Sequence, residues 1–359
     1  LGVDPKMIAA AAARIREAGP MTVADYMAEC LLHPAYGYYT TRDPLGVKGD
    51  FITAPEISQM FGELLGLSLA QAWLDQGQPA PFTLAEPGPG RGTLMADLLR
   101  ATKPVPGFHA AAEIHLVEAS PALRAEQEKT LAGHEVNWHG SIETLPDQPL
   151  FLVANEFFDA LPVRQFIRAG AGWQERLVGL EDGRLAFGRG TAAPQPALAH
   201  RLDDTRDGDL VELCSAAGPV TQQIASRIAA HGGAALIVDY GDWRSLGDTL
   251  QALRGHARAE VLETPGSADL TAHVDFEALA LAAKSAGCGF ARLCPQGVFL
   301  ERLGITARAR ALAAKLDGGP LDQLIAAHRR LTHPEEMGNL FKVLGLYPAG
   351  AVPPPGLEA

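Results

Sequence analysis

Positive charge is the first thing this chain lacks. Its 30 Lys and Arg stand against 42 Asp and Glu, giving a net charge of −12 and an isoelectric point near 5.4. General affinity for nucleic acid needs a basic surface, and no Lys/Arg cluster marks even a local basic groove, so no nucleic-acid partner is expected. An acidic chain is better suited to a cationic partner or substrate. Cysteine is also scarce: Cys30, Cys214, Cys288 and Cys294 are scattered, without a C-x-x-C pair, each beside apolar residues. They read as buried free thiols in a reducing compartment. The eleven histidines form neither H-x-x-x-H nor H-E-x-x-H, so no metal site is expected. No apolar run reaches 18 residues, which argues against membrane insertion. The Ala-rich stretch from Ile8 to Ala13 lacks the flanks of a signal peptide and reads as a helix ending near Gly19-Pro20. No internal repeat stands out.

What is present is an enzyme-sized chain with material for a large core. Its 359 residues exceed the usual limit of one core, and 47% are hydrophobic against 20% charged. Residues 1–80 read as a helical region, with helices over Pro5–Ala18, Thr22–Leu32 and Pro55–Leu74, the last striped by Ile57, Met60, Phe61, Leu64 and Leu65. Between them, His33-Pro-Ala-Tyr36-Gly37-Tyr38-Tyr39 and Gly49-Asp50-Phe51-Ile-Thr53-Ala-Pro55-Glu56 form a loop region rich in aromatic and polar groups, of the kind that carries function. From residue 81 to the end, strands at 82–86, 113–118, 135–138, 150–154 and 234–239 alternate with helical patterns. This predicts an α/β fold, a Rossmann-like and mostly parallel sheet with helices on both faces. Short strands between 163 and 215 read as an antiparallel insertion into that domain, a lid or substrate platform. Segments 289–294 and 340–347 close the sheet, with Ala-rich helices over 306–330 between them. The Ala351-Val-Pro-Pro-Pro tail reads as extended and frayed.

The most informative stretch is Phe82-Thr-Leu-Ala-Glu86-Pro-Gly88-Pro-Gly90-Arg-Gly92-Thr93. An apolar strand runs into an acid, three glycines follow at alternate positions, and a helix begins. Each glycine removes a Cβ where a ligand must come close, and the helix start aims unpaired N–H groups at it. The dinucleotide fingerprint G-x-G-x-x-G wants a third glycine where Thr93 stands. The spacing G-x-G-x-G, with Glu86 two positions before the first glycine, matches S-adenosylmethionine (SAM) methyltransferases. In those enzymes this loop holds the amino-acid end of the cofactor. A plain strand–helix turn is the other reading of Gly88 and Gly90.

Glu118 ends the second strand, where a doubly wound sheet presents an acid to the ribose hydroxyls. Its alternative is a solvated acid beside the Ser120-Pro121 helix start. Ser141 and Ile142, after the third strand, fall where adenine is bracketed. The second strong signal is Leu152-Val-Ala-Asn155-Glu156-Phe157-Phe158-Asp159-Ala-Leu161-Pro162. A buried strand delivers Asn155, Glu156, two Phe and Asp159 at the edge where open α/β sheets bind ligands. Two carboxylates flanking aromatics suit a cation; alternatively, both Phe are core and Asp159 caps the next turn.

Taken together and in order, Gly49–Glu56, Glu86–Gly92, Leu116-Val-Glu118, Asn155–Pro162, Val238-Asp239-Tyr240-Gly241, Asp269-Leu-Thr-Ala-His273-Val-Asp275-Phe276 and Gln296-Gly-Val-Phe-Leu300 resemble the MidA family of SAM-dependent methyltransferases over nearly the whole chain. The resemblance implies SAM as cofactor, with Glu86, Gly88, Gly90, Gly92, Glu118, Ser141, Ile142 and Asn155 around it. The family's mitochondrial members act as assembly factors for respiratory complex I. For them it implies dimethylation of an arginine on a core subunit, and so a protein substrate here, in the cytoplasm of a bacterium or the mitochondrial matrix of a eukaryote. The oligomeric state stays open, a homodimer included.

A protonated guanidinium is a poor nucleophile. Carboxylates gripping two of its nitrogens localise charge away from the third, a role expected of Glu156 and Asp159. His273 or Asp275 would help remove the proton, and Asp50 and Glu56 would close over the site. Two alternatives are compatible with the sequence: a non-catalytic SAM-binding assembly factor, and an NAD(P)-dependent oxidoreductase, which would want glycine at 93 and a hydride-site pair such as Tyr-Lys.

Overall fold

Some strands in this chain are too apolar to have a wet face. Phe82–Pro87 (β1) and Leu150–Asn155 (β4) are buried along their whole length, and Gly233–Asp242 (β5) is buried in all but its last residue. Continuous burial is what parallel strands covered on both faces require. In the computed structural model, which describes residues 5–41, 53–255, 257–263 and 265–359, they lie side by side in one sheet with Ala112–Val117 (β2), Val136–His139 (β3), Cys288–Phe290 (β6) and Phe341–Pro348 (β7). The order is β3-β2-β1-β4-β5-β7-β6, and β7 runs antiparallel between its neighbours. The chain leaves β1 in one direction through β2 and β3, then returns to β4 on the other side of β1. That reversal makes a crevice at the C-terminal ends of β1 and β4, the place where open α/β sheets hold ligands. The expected Rossmann-like sheet is therefore present, including the two late strands.

The described chain resolves into two compact units. The sheet belongs to residues 52–158, 218–243 and 276–359. Its core contains Trp73, Phe82 and Phe108, in mutual contact with ring centroids 5.1 to 5.8 Å apart, and Phe151, 5.2 Å from Phe82; losing one such ring costs about 3–5 kcal/mol. Helix α1 (Gln59–Asp75) meets α2 (Thr93–Thr102) through two glycines one turn apart. A Cβ on Gly62 would come within 2.8 Å of Asp97 Cβ, and one on Gly66 within 2.7 Å of Leu98 Cγ. The small residues set the distance between the helices. The helix expected over Pro55–Leu74 is broken: a short turn Ala54–Ile57 precedes α1, and extended Ser58 caps α1 through a bond from the Met60 N–H. The tail is not frayed. Pro354 is buried, the Pro355 carbonyl accepts from Ser68 Oγ at 2.8 Å, and Glu358 pairs with Arg302 at 2.7 Å.

The other unit takes residues up to 51 together with 159–217 and 244–275. The boundary expected at residue 80 therefore falls earlier, because the apolar stripe of α1 belongs to the sheet's core. The strands between 163 and 215 are antiparallel and interrupt the sheet unit in sequence, as expected of an insertion, and they group with the N-terminal helices. Met21–Thr22 pairs with Gly172–Glu181, which pairs in turn with Arg164–Ala169 and Arg184–Arg189. Thr22 also opens helix Val23–Leu32 with a reciprocal capping box to Asp25. A three-stranded sheet of Ala257–Ala259, Gln251–Arg254 and Asp269–Thr271 completes the unit. Cys30, Cys288 and Cys294 are buried free thiols, as expected; Cys214 is half-buried. No described helix is long and apolar enough to cross a membrane.

Candidate functional site

β1 delivers Glu86 to the sheet edge, and the turn beyond it is left-handed at Gly88, Gly90 and Gly92, with φ of +62°, +53° and +80°. L-residues avoid this region, which accounts for the glycines. Gly88 has a second reason: a Cβ there would sit 3.1 Å from Phe157 Cδ2. Gly92 is the N-cap of α2. Thr93, in place of the third glycine, donates its hydroxyl to Glu56 Oε1 at 2.6 Å. Glu56, expected to close over the site, is instead held at the N-terminus of α2, where the helix dipole favours an anion. Glu86 is 3% exposed, and burial pushes its carboxyl from the ordinary 4.5 to about 8 against a bond from the Met95 N–H. Its Oε2 has no hydrogen-bond partner. A buried acid with one oxygen unsatisfied fits a ligand end that is cationic or rich in N–H groups.

Glu118 follows β2. Its Oε1 accepts from the Ser120 N–H at 2.7 Å and its Oε2 from Gln127 Nε2 at 3.3 Å, while its own carbonyl accepts from Arg124 Nε at 2.8 Å. Burial raises this carboxyl, and the Ser120 and Gln127 bonds act in the other direction. Ser120 caps helix α3 (Pro121–Thr130) with Pro121 at its first position. Gln127, which the sequence reading did not single out, is fully buried and holds this carboxylate. The available signal was spacing: Leu123, Gln127 and Leu131 fall four apart, an apolar stripe with a polar member. After β3, Ser141 Oγ accepts from the Glu143 N–H at 3.2 Å and Ile142 is buried.

β4, buried throughout, carries Asn155 to the same edge and ends in Glu156, a non-glycine residue at φ +50°. Such a conformation costs of order 1–3 kcal/mol and clusters at functional sites. Glu156 N–H donates to the Val238 carbonyl at 2.9 Å; its Oε1 accepts from Asn155 Nδ2 at 3.0 Å and from the Ala54 N–H at 3.4 Å. The two phenylalanines divide between core and ligand edge. Phe158 is core, and Phe157, edge-on to it with centroids 5.3 Å apart, stands against the glycine loop. The turn is fixed by fully buried Asp239, another residue without an expected role: Oδ2 accepts from the Phe158 N–H and Oδ1 from the Tyr240 N–H, both at 3.0 Å. Its signal was an acid ending the apolar run Leu236-Ile-Val238.

Asp159 and His273 lie in the other unit. Asp159 is 5% exposed, and its carbonyl accepts from the N–H of Ala272, the neighbour of His273, at 3.0 Å. His273 N–H donates to Thr249 Oγ1 at 2.8 Å. Asp275 stands 3.8 Å from buried Arg201. Buried Asp269 accepts from Tyr39 Oη at 2.8 Å. Burial raises the Tyr39 hydroxyl well above its usual range, helped by the charges of Asp269 and Asp159. Asp50 lies outside the described residues. Among the described residues no cluster of His, Cys, Asp or Glu could hold a metal.

Three kinds of similarity accompany this geometry. The profile of a family of S-adenosyl-L-methionine-dependent methyltransferases matches residues 64–294. The chain is 40% identical to the Danio rerio protein arginine methyltransferase NDUFAF7, mitochondrial, over 92% of this chain and 84% of that protein. It is 37% identical to the Homo sapiens protein of the same name, over 93% and 82%. A methyltransferase-type protein from Burkholderia thailandensis, solved with S-adenosyl-homocysteine bound, superposes with a TM-score of 0.80 at 29% identity, over 96% of this chain and 92% of that one. S-adenosylmethionine is accordingly the cofactor, and the oxidoreductase alternative is set aside. The orphaned Glu86 oxygen, the left-handed glycine turn and the oriented Glu118 fit its amino-acid and ribose parts. The chain belongs to the MidA-like family of S-adenosyl-L-methionine-dependent methyltransferases.

Proposed function

We propose that this protein methylates an arginine side chain of a protein substrate, and that Glu156 and Asp159 receive the guanidinium. The observation that carries the reading is Glu156 itself, a carboxylate held in left-handed backbone at the end of β4. The relatives' name as protein arginine methyltransferases supports the same substrate class. On this reading Glu86 meets the ammonium of the cofactor, Gly88, Gly90 and Gly92 let its amino-acid end approach, Glu118 takes the ribose hydroxyls, and Asn155, Ser141 and Ile142 border the rest. The cofactor supplies an electrophilic methyl group on a sulfonium.

What remains for the chain is to position the acceptor and manage its proton. A guanidinium keeps its proton at neutral pH, so its nitrogens have little free electron density. Glu156 and Asp159, accepting from two of them, draw the positive charge toward themselves and leave the third better able to attack. His273 then takes the proton released as the new N–C bond forms. Asp275, which Arg201 engages, is the alternative base. Phe157 presents an apolar wall that keeps water from competing for the methyl group.

The first substrate to examine is a core subunit of respiratory complex I or of its bacterial NADH dehydrogenase counterpart, in the cytoplasm if the source is bacterial. Mass spectrometry of methylarginine in a strain lacking this protein, against its parent, tests the proposal. A methylated arginine present only in the parent is expected; identical methylarginine in both strains would overturn it. A non-catalytic SAM-binding assembly role predicts that second result.

A further inference from the structure

Gln127 touches three parts of the cofactor edge at once. Its Nε2 donates to the Gly90 carbonyl at 2.7 Å and to Glu118 Oε2 at 3.3 Å, and its Oε1 accepts from Trp138 Nε1 at 2.9 Å. These partners leave no freedom in the amide. An indole N–H only donates, and a carbonyl and a carboxylate only accept, so a flipped amide would oppose three like groups. The side chain is fully buried, where an unsatisfied polar group costs about 1–3 kcal/mol, so the arrangement is held as a unit. Gly90 lies 37 residues away on the glycine loop, Glu118 follows β2, and Trp138 sits on β3.

We infer that Gln127 is a positioning residue for the cofactor: it aims Glu118 at the ribose and locks the glycine loop in register with it. The Ser120 N–H on Oε1 and Gln127 on Oε2, with the Ala119 N–H acting on the same carboxylate, fix its plane while leaving acceptor capacity for a ligand. Two lone pairs in one fixed plane match two vicinal hydroxyls. Without Gln127 the carboxylate keeps Ser120 on Oε1 but loses the donor that holds Oε2 and with it the fixed plane, and recognition of the hydroxyl pair is lost first. The inference rests on Glu118 facing the ribose and is independent of the identity of the methyl acceptor.

The test compares binding of S-adenosylhomocysteine and its 2′-deoxy analogue to the purified full-length protein by titration calorimetry, for the parent, Gln127→Glu and Gln127→Met. Thermal midpoints are recorded alongside. The parent should prefer the hydroxylated ligand by about tenfold, as expected for a lost hydrogen bond to a charged group. In both variants that ratio should fall to about twofold or less. Gln127→Glu keeps the volume and the acceptor for Trp138, so it remains informative if Gln127→Met does not fold. A purely structural Gln127 would weaken both ligands equally and leave the tenfold preference intact, which would overturn the inference. A parent without any preference would overturn both the inference and the ribose role of Glu118.

Discussion

Two carboxylates end adjacent parallel strands of the sheet, and the fold treats them in opposite ways. Glu86, at the end of β1, lies in relaxed strand backbone with one oxygen unsatisfied, and its carboxyl is pushed to about 8 by burial. Glu156, at the end of β4, has a strained backbone at φ +50°, while its carboxylate receives Asn155 and the Ala54 N–H. In the first the cost of the site is electrostatic, and a ligand of the right charge removes it. In the second the cost is conformational and is met in the fold beforehand. An acid prepared by desolvation serves a partner that arrives with the complementary charge. An acid prepared by strain serves a geometry that must exist before the partner arrives.

The comparison breaks most visibly at Glu156. Glu156→Gln keeps the shape and the Ala54 contact but removes the charge, and methyl transfer measured with radiolabelled cofactor should fall at least about 100-fold, the usual loss when one stabilising group is removed. Cofactor affinity should change by less than about twofold; undiminished transfer would remove Glu156 from the acceptor role. Gly88→Ala is next. The left-handed backbone costs an L-residue about 1–2 kcal/mol, and Phe157 has to move as well, so cofactor affinity measured by calorimetry should drop about tenfold or more.

Glu86→Gln has the smallest effect at neutral pH and the most diagnostic one. A carboxyl with a raised folded-state pKa stabilises the folded state fully below its unfolded value of 4.5, and that contribution disappears as pH rises through about 8. The ligand-free parent should therefore lose thermal stability between those values. Glu86→Gln should flatten that stretch of the curve and melt higher than the parent above pH 8, while binding the cofactor several-fold less tightly. Parallel melting curves for the two proteins across this range would refute the burial argument.

Most of the sheet is legible in the sequence because a parallel strand buried on both faces leaves a continuous apolar run, as Leu150–Ala154 and Ala234–Val238 do. The glycine loop is legible because φ above zero is nearly a glycine monopoly. What is not legible depends on distant partners. Gln127 looks like one more polar residue until Gly90 and Trp138 are seen beside it. Asp239 acts on Phe158 from 81 residues away. The strands between 163 and 215 are legible as an insertion, but their pairing with the N-terminal segment is not, because it depends on Met21 meeting Val178. The proline-rich tail lacks any periodic signal, yet a Cβ on Gly345 would collide with Leu357 at 2.4 Å, so the bare backbone there is what lets the tail dock.

On the proposed reading, in which Glu86 meets the ammonium of the cofactor, its orphaned oxygen also makes this site a proton exchanger. Near neutral pH the empty site carries its carboxyl largely as the acid, and an arriving ammonium group favours the carboxylate, so each binding event sheds a fraction of a proton to the medium. The heat of cofactor binding will then vary linearly with the ionisation enthalpy of the buffer, with a slope equal to that fraction. S-adenosylhomocysteine keeps the same ammonium group, so the proton returns only when the spent cofactor leaves, and product release is drawn forward by acid.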